Sequence, residues 1–293
     1  MTDKVTFLFS ADPVSLTCGL ADFKKSATVE AEYGENVISG SAITLAHHGP
    51  RSANPAPCLR ENEVVEGVDV IGFSHFDLDA FGGALSILGI KPDNSGFWNL
   101  AAFIDVNGPH MISKSGARGE DIDRLYAWWA YNKSNRFPRI PRDAVLKVKY
   151  EDIESWIIAL NKIMDDDPEF LEAGKTFRED EKTLNEESYI DSSDGIVIRK
   201  AHSFVNHLYS TPEGDITKAV ISFNEDTKAI TLSLESPIEG LSCSEVMQKV
   251  FGPEAGGRAG IAGTPRNSAY NFEDVYKIVD VLKGFPGFVT ISE

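Results

Sequence analysis

Three side chains able to hold a metal ion alternate with apolar ones in His75-Phe76-Asp77-Leu78-Asp79. In extended backbone the imidazole and both carboxylates fall on one side and Phe76 and Leu78 on the other, so that one side binds while the other packs. Carboxylates are hard donors suited to Mn²⁺ or Mg²⁺, and a histidine shifts the preference toward Mn²⁺. Two apposed carboxylates also repel each other unless a cation or proton lies between them. The competing structural role for Asp79 is the start of a helix, where a carboxylate satisfies exposed backbone N–H groups. His47-His48, Asp105 and His110 are further candidates. The two adjacent histidines alternate sides in an extended chain, so one could ligate while the other holds a phosphate or carboxylate, unless both are loop or surface residues. Asp105 has an alternative in an Asx turn with Gly108-Pro109. Asp12-Pro13 suits an ordinary strand-end turn, and His202 and His207 read as structural.

These residues need elements that bring them together. Residues 68–73 form an apolar run that reads as a buried strand, and Gly82-Gly83-Ala84 opens a helix able to pack closely on a sheet. A short strand over 42–46 delivers His47-His48 ahead of a turn-rich segment at 51–57. A further strand over 100–104 presents Asp105 and His110 at its end. Residues 5–9 form a first strand, and 27–35 are ambiguous. Ligands repeated at several strand ends are what a metal centre at the carboxyl edge of an α/β sheet requires.

From there the texture changes. Residues 120–132, 151–164 and 169–187 carry helical periodicity, with the acidic run Asp165-Asp166-Asp167 before Pro168 as a break. Strands at 195–199, 218–223 and 229–234 suggest a small sheet, helices follow at 242–251 and 272–282, and 287–291 reads as a last strand. The expected class is α/β, with a mostly parallel sheet domain at 1–135, a helical connector at 136–190 and a smaller α+β domain at 191–293.

The second domain carries its own distinctive element. Gly256-Gly257-Arg258, followed by Gly260 and Gly263, lets backbone approach an anion while a guanidinium binds phosphate or carboxylate at two points, with Arg266 as a helper. The Lys-Ser/Thr ending of an ATPase phosphate loop is missing. A ligand-free glycine turn is the alternative.

With 45 acidic and 28 basic residues the chain carries a formal charge of −17. That charge argues against nonspecific duplex DNA binding while permitting a short nucleotide held through cations. Cys18, Cys58 and Cys243 are too scattered for a disulfide framework or thiolate zinc site and read as buried small side chains. No stretch suits a signal peptide or membrane span, so a cytoplasmic, soluble protein without a membrane partner is expected.

The chain resembles the DHH phosphoesterase superfamily with a DHHA1-like carboxyl domain. Ser74-His75-Phe76-Asp77-Leu78-Asp79-Ala80 looks like the family's first metal motif, and residues 256–263 look like its Gly-Gly-His-x-x-Ala-Ala-Gly substrate motif, in the same order. Asp105 matches the Asp expected after the first motif. Two differences stand out: Ala46-His47-His48 precedes the Asp-x-Asp pair and lacks the Asp of Asp-His-His, and Arg258 replaces a histidine. The resemblance implies one or two Mn²⁺ ions, or Mg²⁺, held by His75, Asp77, Asp79 and Asp105, with His47, His48 or His110 completing the shells. It implies hydrolysis of a small phosphodiester, a short single-stranded oligonucleotide or another small phosphorylated molecule by metal-activated water, with Gly256, Gly257, Arg258 and Gly260 clamping substrate across an interdomain cleft. The alternatives are a noncatalytic nucleotide-binding or regulatory protein and, less well matched because of Phe81, a haloacid dehalogenase-like phosphatase. Exposed sheet edges in the second domain could pair across a homodimer.

Overall fold

The computed structural model describes residues 5–31, 38, 40–48, 51–61, 63–141, 143–265 and 268–288. The fold is mixed α/β and divides into two compact units, residues 1–178 and 179–293.

The first unit is built on a five-stranded sheet. Its strands β1 (Thr6–Phe9), β2 (Ser26–Val29), β3 (Thr44–Leu45) and β4 (Val70–Phe73) run parallel, and β5 (Leu146–Lys149) runs antiparallel, in the order β3-β2-β4-β1-β5. Register aligns the carboxyl ends, because Val29 pairs with both Leu45 and Phe73, and Phe9 also pairs with Phe73. Alternation along the strands then assigns the two faces. Phe7, Phe9, Ala27, Val29, Ile71 and Phe73 join the main core, while Leu8 and Val70 pack with Leu16 and Leu20 of α1 (Pro13–Leu20). Burial on both faces explains why β4 reads as an uninterrupted apolar run.

The main core is covered by α2 (Leu78–Leu88), α3 (Ser95–Asn107), α4 (Gly119–Ser134) and α5 (Tyr150–Met164). The small residues of α2 permit its close approach. A Cβ on Gly82 would lie 2.7 Å from Cβ of Cys58 and from the Trp98 ring, and one on Gly83 2.9 Å from Val29. Residues 100–104 are helical, within α3, rather than a strand. Buried Phe97, Trp98, Ala101 and Ala102 keep helical spacing, and Asn94 caps the helix by accepting from the Phe97 N–H at 3.0 Å. A short apolar run fits either element, and here the cap and length decide. Within the stretch expected to connect the units, β5 and α5 add to the first unit: β5 pairs with β1, and Ile153, Trp156 and Leu160 enter its core. The long helix α6 (Pro168–Ser188) follows.

The second unit has a six-stranded mixed sheet in the order β10-β11-β9-β8-β7-β6. Its strands are β6 (Tyr189–Ser193), β7 (Ile196–Ala201), β8 (Ala219–Asn224), β9 (Ile230–Leu234), β10 (Gly256–Gly257) and β11 (Ile261–Gly263); only β7 and β8 pair in parallel. Helices α7 (Cys243–Phe251) and α8 (Val275–Leu282) cover one face. Residues 287–288 belong to a 3₁₀ turn, and the rest of the expected last strand lies outside the described residues. Among the described residues, no helix is long and apolar enough to cross a membrane.

Candidate metal centre

The aligned carboxyl ends of β3, β2 and β4 deliver His47 and His48, Glu30, and Ser74 through Asp79 to one edge of the sheet. Asp105 arrives from the last turn of α3. His47 Nε2 lies 3.0 Å from Asp105 Oδ2, 3.3 Å from Asp79 Oδ2 and 3.9 Å from Glu30 Oε1. The His48 ring sits beside that of His47, with centroids 4.3 Å apart, and its Nε2 is 3.3 Å from Asp105 Oδ2 and 3.6 Å from Glu30 Oε2. Both imidazoles therefore turn to the same acids. The sequence-based alternation fails because regular strand ends at Leu45.

Neighbouring backbone holds this cluster in place. Asp79 is 2% exposed, and its Oδ1 accepts from the Cys58 N–H at 2.9 Å, leaving Oδ2 for the cluster. Glu30 is 5% exposed with φ of 48°, an uncommon left-handed conformation for a residue other than glycine. Its carboxylate accepts from the His47 N–H at 3.1 Å, and its carbonyl accepts from Ser74 Oγ. Such strain points to a position over-determined by its surroundings. Glu30 sits in the ambiguous stretch 27–35. Its only signal was an acid directly after the short run Ala27-Thr28-Val29, the same strand-end placement shared by His47 and His75.

Three atoms of the cluster are buried and meet no partner with hydrogen-bond geometry among the described residues: His47 Nε2, Asp79 Oδ2 and Asp105 Oδ2. Buried polar atoms are normally satisfied, and a local group of exceptions needs an explanation. The three lie within 4.8 Å of one another, as do ligand atoms of Glu30, His47 and His48. One nitrogen and two carboxylate oxygens around a common space fit a divalent cation in both chemistry and placement.

The local field agrees. The close Asp79 carboxylate pushes His47 up to about 9 against burial, helped by the charges of Glu30 and Asp105. Burial raises Glu30, only partly offset by His48 and His47, and Asp105 is raised by burial and by the negative charges of Asp77 and Asp79. Without a cation, a proton on His47 takes the place of positive charge.

Other expected site residues divide. His75 and Asp77 face each other, Nε2 to Oδ2 at 2.9 Å, while Ser74 Oγ lies 2.7 Å from His75 Nδ1. Asp77, not Asp79, is the N-cap of α2, accepting from the Ala80 N–H at 2.8 Å. The single-sided arrangement of His75, Asp77 and Asp79 does not form, because the helix begins at Leu78 and turns Asp79 toward His47. Burial would raise Asp77, but its hydrogen bond from His75 and that cation's charge outweigh it and lower the carboxyl. His110 lies in a 3₁₀ turn with its ring against Gly108, where a Cβ would stand 2.6 Å from Cε1. It belongs to neither group of converging ligand atoms among the described residues. Asp12 caps α1, accepting from the Val14 and Ser15 N–H groups.

In the second unit Gly256 and Gly257 form one arm of a hairpin whose tip carries Arg258 and Gly260. A Cβ on Gly257 would lie 2.7 Å from Ala262 Cα, so the close arm requires glycine. The Arg258 N–H is used within the hairpin, bonding Ile261 O at 2.7 Å, while its exposed guanidinium is unpaired among the described residues. Arg266 lies outside the described residues. His202 pairs with Asp226 and Glu225 on the surface, and His207 with Glu181. All three cysteines are free; Cys58 and Cys243 are buried, but Cys18, expected inside, is exposed on α1.

A scan against protein-family models found no match, and a search of curated proteins found none either.

Proposed function

We propose that the chain is a metal-dependent phosphoesterase of the DHH kind, with the first unit as its catalytic body and the DHHA1-like second unit contributing to substrate binding. The carrying observation is the convergence of His47 Nε2, Asp79 Oδ2 and Asp105 Oδ2, buried and without hydrogen-bonded partners among the described residues. His47, Asp79 and Asp105 would hold the first ion, with Glu30 and His48 bounding the adjacent position; Mn²⁺ suits this mixed set better than Mg²⁺. A divalent ion supplies Lewis acidity and activation of water at neutral pH, the chemistry that phosphoester hydrolysis requires.

The surrounding residues have definable tasks. The Cys58 N–H orients Asp79, and the His47 N–H orients Glu30. His48, turned to Glu30 and Asp105 but with half its side chain exposed, lies on the solvent side of the cluster, where substrate would approach. His75, held by Ser74 and Asp77, whose carboxylate raises the imidazole against burial, is a neighbour suited to a phosphate oxygen. Arg258 is the second unit's anion-binding group. Free cysteines and net acidity fit a cytoplasmic enzyme that takes short phosphorylated substrates rather than duplexes.

Metal analysis paired with Mn²⁺-supported hydrolysis of pyrophosphate, a dinucleotide, a cyclic dinucleotide, 3′-phosphoadenosine 5′-phosphate and a pentanucleotide tests this function. Bound metal with turnover of any member is expected. Bound nucleotide without turnover would instead favour a binding protein, and a metal-free, inactive chain would overturn the proposal.

A further inference from the structure

The segment Arg136-Phe137-Pro138-Arg139-Ile140-Pro141 joins α4 to β5 and places two arginines close together in a strongly acidic chain. Each proline fixes its own φ and drives the residue before it toward extended backbone, so the segment is restrained. Its side chains divide accordingly. Phe137 and Ile140 pack against the first unit's core, while Arg136 and Arg139 are exposed. Neither guanidinium has an ion pair or hydrogen bond among the described residues.

Both ends of the segment are tied to the edge of the sheet that carries the metal cluster. Phe137 stacks on Phe76 with ring centroids 4.1 Å apart and meets Phe9 edge-on at 4.8 Å. Phe76 lies between His75 and Asp77, and Phe9 ends β1. Farther along, Pro141 O accepts from the Ala11 N–H at 3.2 Å, just beyond the end of β1. Two unpaired cations are thus held along the carboxyl edge of the sheet by a proline-stiffened strap.

We propose that Arg136 and Arg139 form a separate docking site for phosphates that flank the reacting one. This inference rests on the phosphoesterase reading. Pyrophosphate has no phosphate beyond the reacting pair and would leave the strap unused. Guanidinium groups suit phosphodiester oxygens by geometry and permanent charge. The surrounding negative charge disfavours a long duplex, with its denser array of phosphates.

The test compares the wild type with the double variant Arg136→Ala/Arg139→Ala, using a pentanucleotide DNA and bis-p-nitrophenyl phosphate in Mn²⁺. Both arginines are exposed, so truncation removes no core packing, and a thermal melt verifies the fold. The expected result is a roughly tenfold fall in the pentanucleotide-to-small-diester ratio of kcat/KM, carried by KM, with a salt dependence of log KM about 1.4 shallower for two lost contacts. The double lysine variant should retain most of that salt dependence. An unchanged ratio would overturn the inference. If the wild type cleaves neither compound, anisotropy of the fluorescein-labelled pentanucleotide separates the two readings. Binding that the double variant loses would keep the strap and discard the phosphoesterase, whereas absent or unaltered binding would discard the strap.

Discussion

Each unit buries a polar centre, and the two are built on opposite principles. In the second unit Arg199 is fully buried, yet every donor of its guanidinium is used: Nε to Leu208 O, Nη1 to Asn185 O and Ser188 Oγ, Nη2 to Asn185 Oδ1 and Ser210 O. Burial depresses it to about 10, but the geometry leaves no guanidinium donor for a ligand. In the first unit His47, Asp79 and Asp105 converge with three atoms unsatisfied. Burial of charge is common to both, so it does not distinguish a binding site from a structural staple. Incomplete satisfaction does, because an unpaired buried polar group is costly unless something else completes it.

Replacing one donor in each centre should separate the two most strongly. Asp79→Asn keeps an oxygen able to accept from Cys58 but removes a charge from the cluster. Loss of outer positioning groups in metal sites typically costs about 10–100-fold in affinity, so loss of a direct ligand should cost at least about 100-fold. Mn²⁺ titration calorimetry measures this, and an affinity within threefold of wild type would remove Asp79 from the site. Arg199→Met should leave Mn²⁺ affinity alone and destabilise the second unit by about 2–3 kcal/mol, since its carbonyl and hydroxyl acceptors lose their donors. Urea denaturation followed by circular dichroism reads that loss; an unchanged midpoint would mean that water replaces the guanidinium without cost.

The contrast was only partly legible in the sequence. The strand-crest-helix unit around His75 was readable because an uninterrupted apolar run, polar crest and small-residue helix each have one simple interpretation, and the apolar half of the crest, Phe76 and Leu78, does pack as its spacing suggests. Asp105 was found for the wrong local reason. An apolar stretch as short as 100–104 fits strand or helix, and α3 brings Asp105 inward because it lies four residues after Ala101, on the buried face. Glu30 went unseen because its role depends on a left-handed turn and a bond from Ser74, neither of which leaves a pattern among residues 27–35. Strands β7, β8 and β9 of the second unit were legible from β-branched runs bounded by turn residues, whereas β6 and the glycine-rich pair β10 and β11 carry no such pattern. Arg199 read there as an ordinary strand end, since its partners come from residues 185–210 and meet it only in the folded unit.

Proton competition sharpens the comparison next. His47 is raised to about 9 in the metal-free chain, so at neutral pH a proton occupies the nitrogen that a metal would need. Its folded value lies above the unfolded one. The stabilisation it gives the metal-free protein is therefore fully present below about 6.5 and is lost as pH rises through about 9. Metal binding runs the other way, because affinity should rise about tenfold per pH unit below that value as the proton is released. Calorimetry in buffers of different ionisation enthalpy should find close to one proton released at neutral pH, and His47→Gln should abolish the release. No release in the wild type would mean that His47 is not a ligand. Arg199, with no ligand to exchange for its proton, should show no such coupling.

The smallest effect concerns Asp12, a carboxylate at the end of β1 that shares the strand-end position of the site residues but not their chemistry. Its Oδ2 accepts from the Ser15 N–H at 2.9 Å and from Ser15 Oγ at 2.7 Å, and these bonds hold its carboxyl below the usual range. Every contact is local to the first turn of α1, where a carboxylate satisfies exposed N–H groups and meets the positive end of the helix. Asp12→Ala should lower the melting temperature slightly and leave Mn²⁺ affinity unchanged, whereas Asp12→Ser should recover most of the loss because a hydroxyl can still cap. A drop in metal affinity with Asp12→Ala would show that the centre extends across β4 to the end of β1. A pure stability change would confine it to the residues that β2, β3, α2 and α3 bring together around His47.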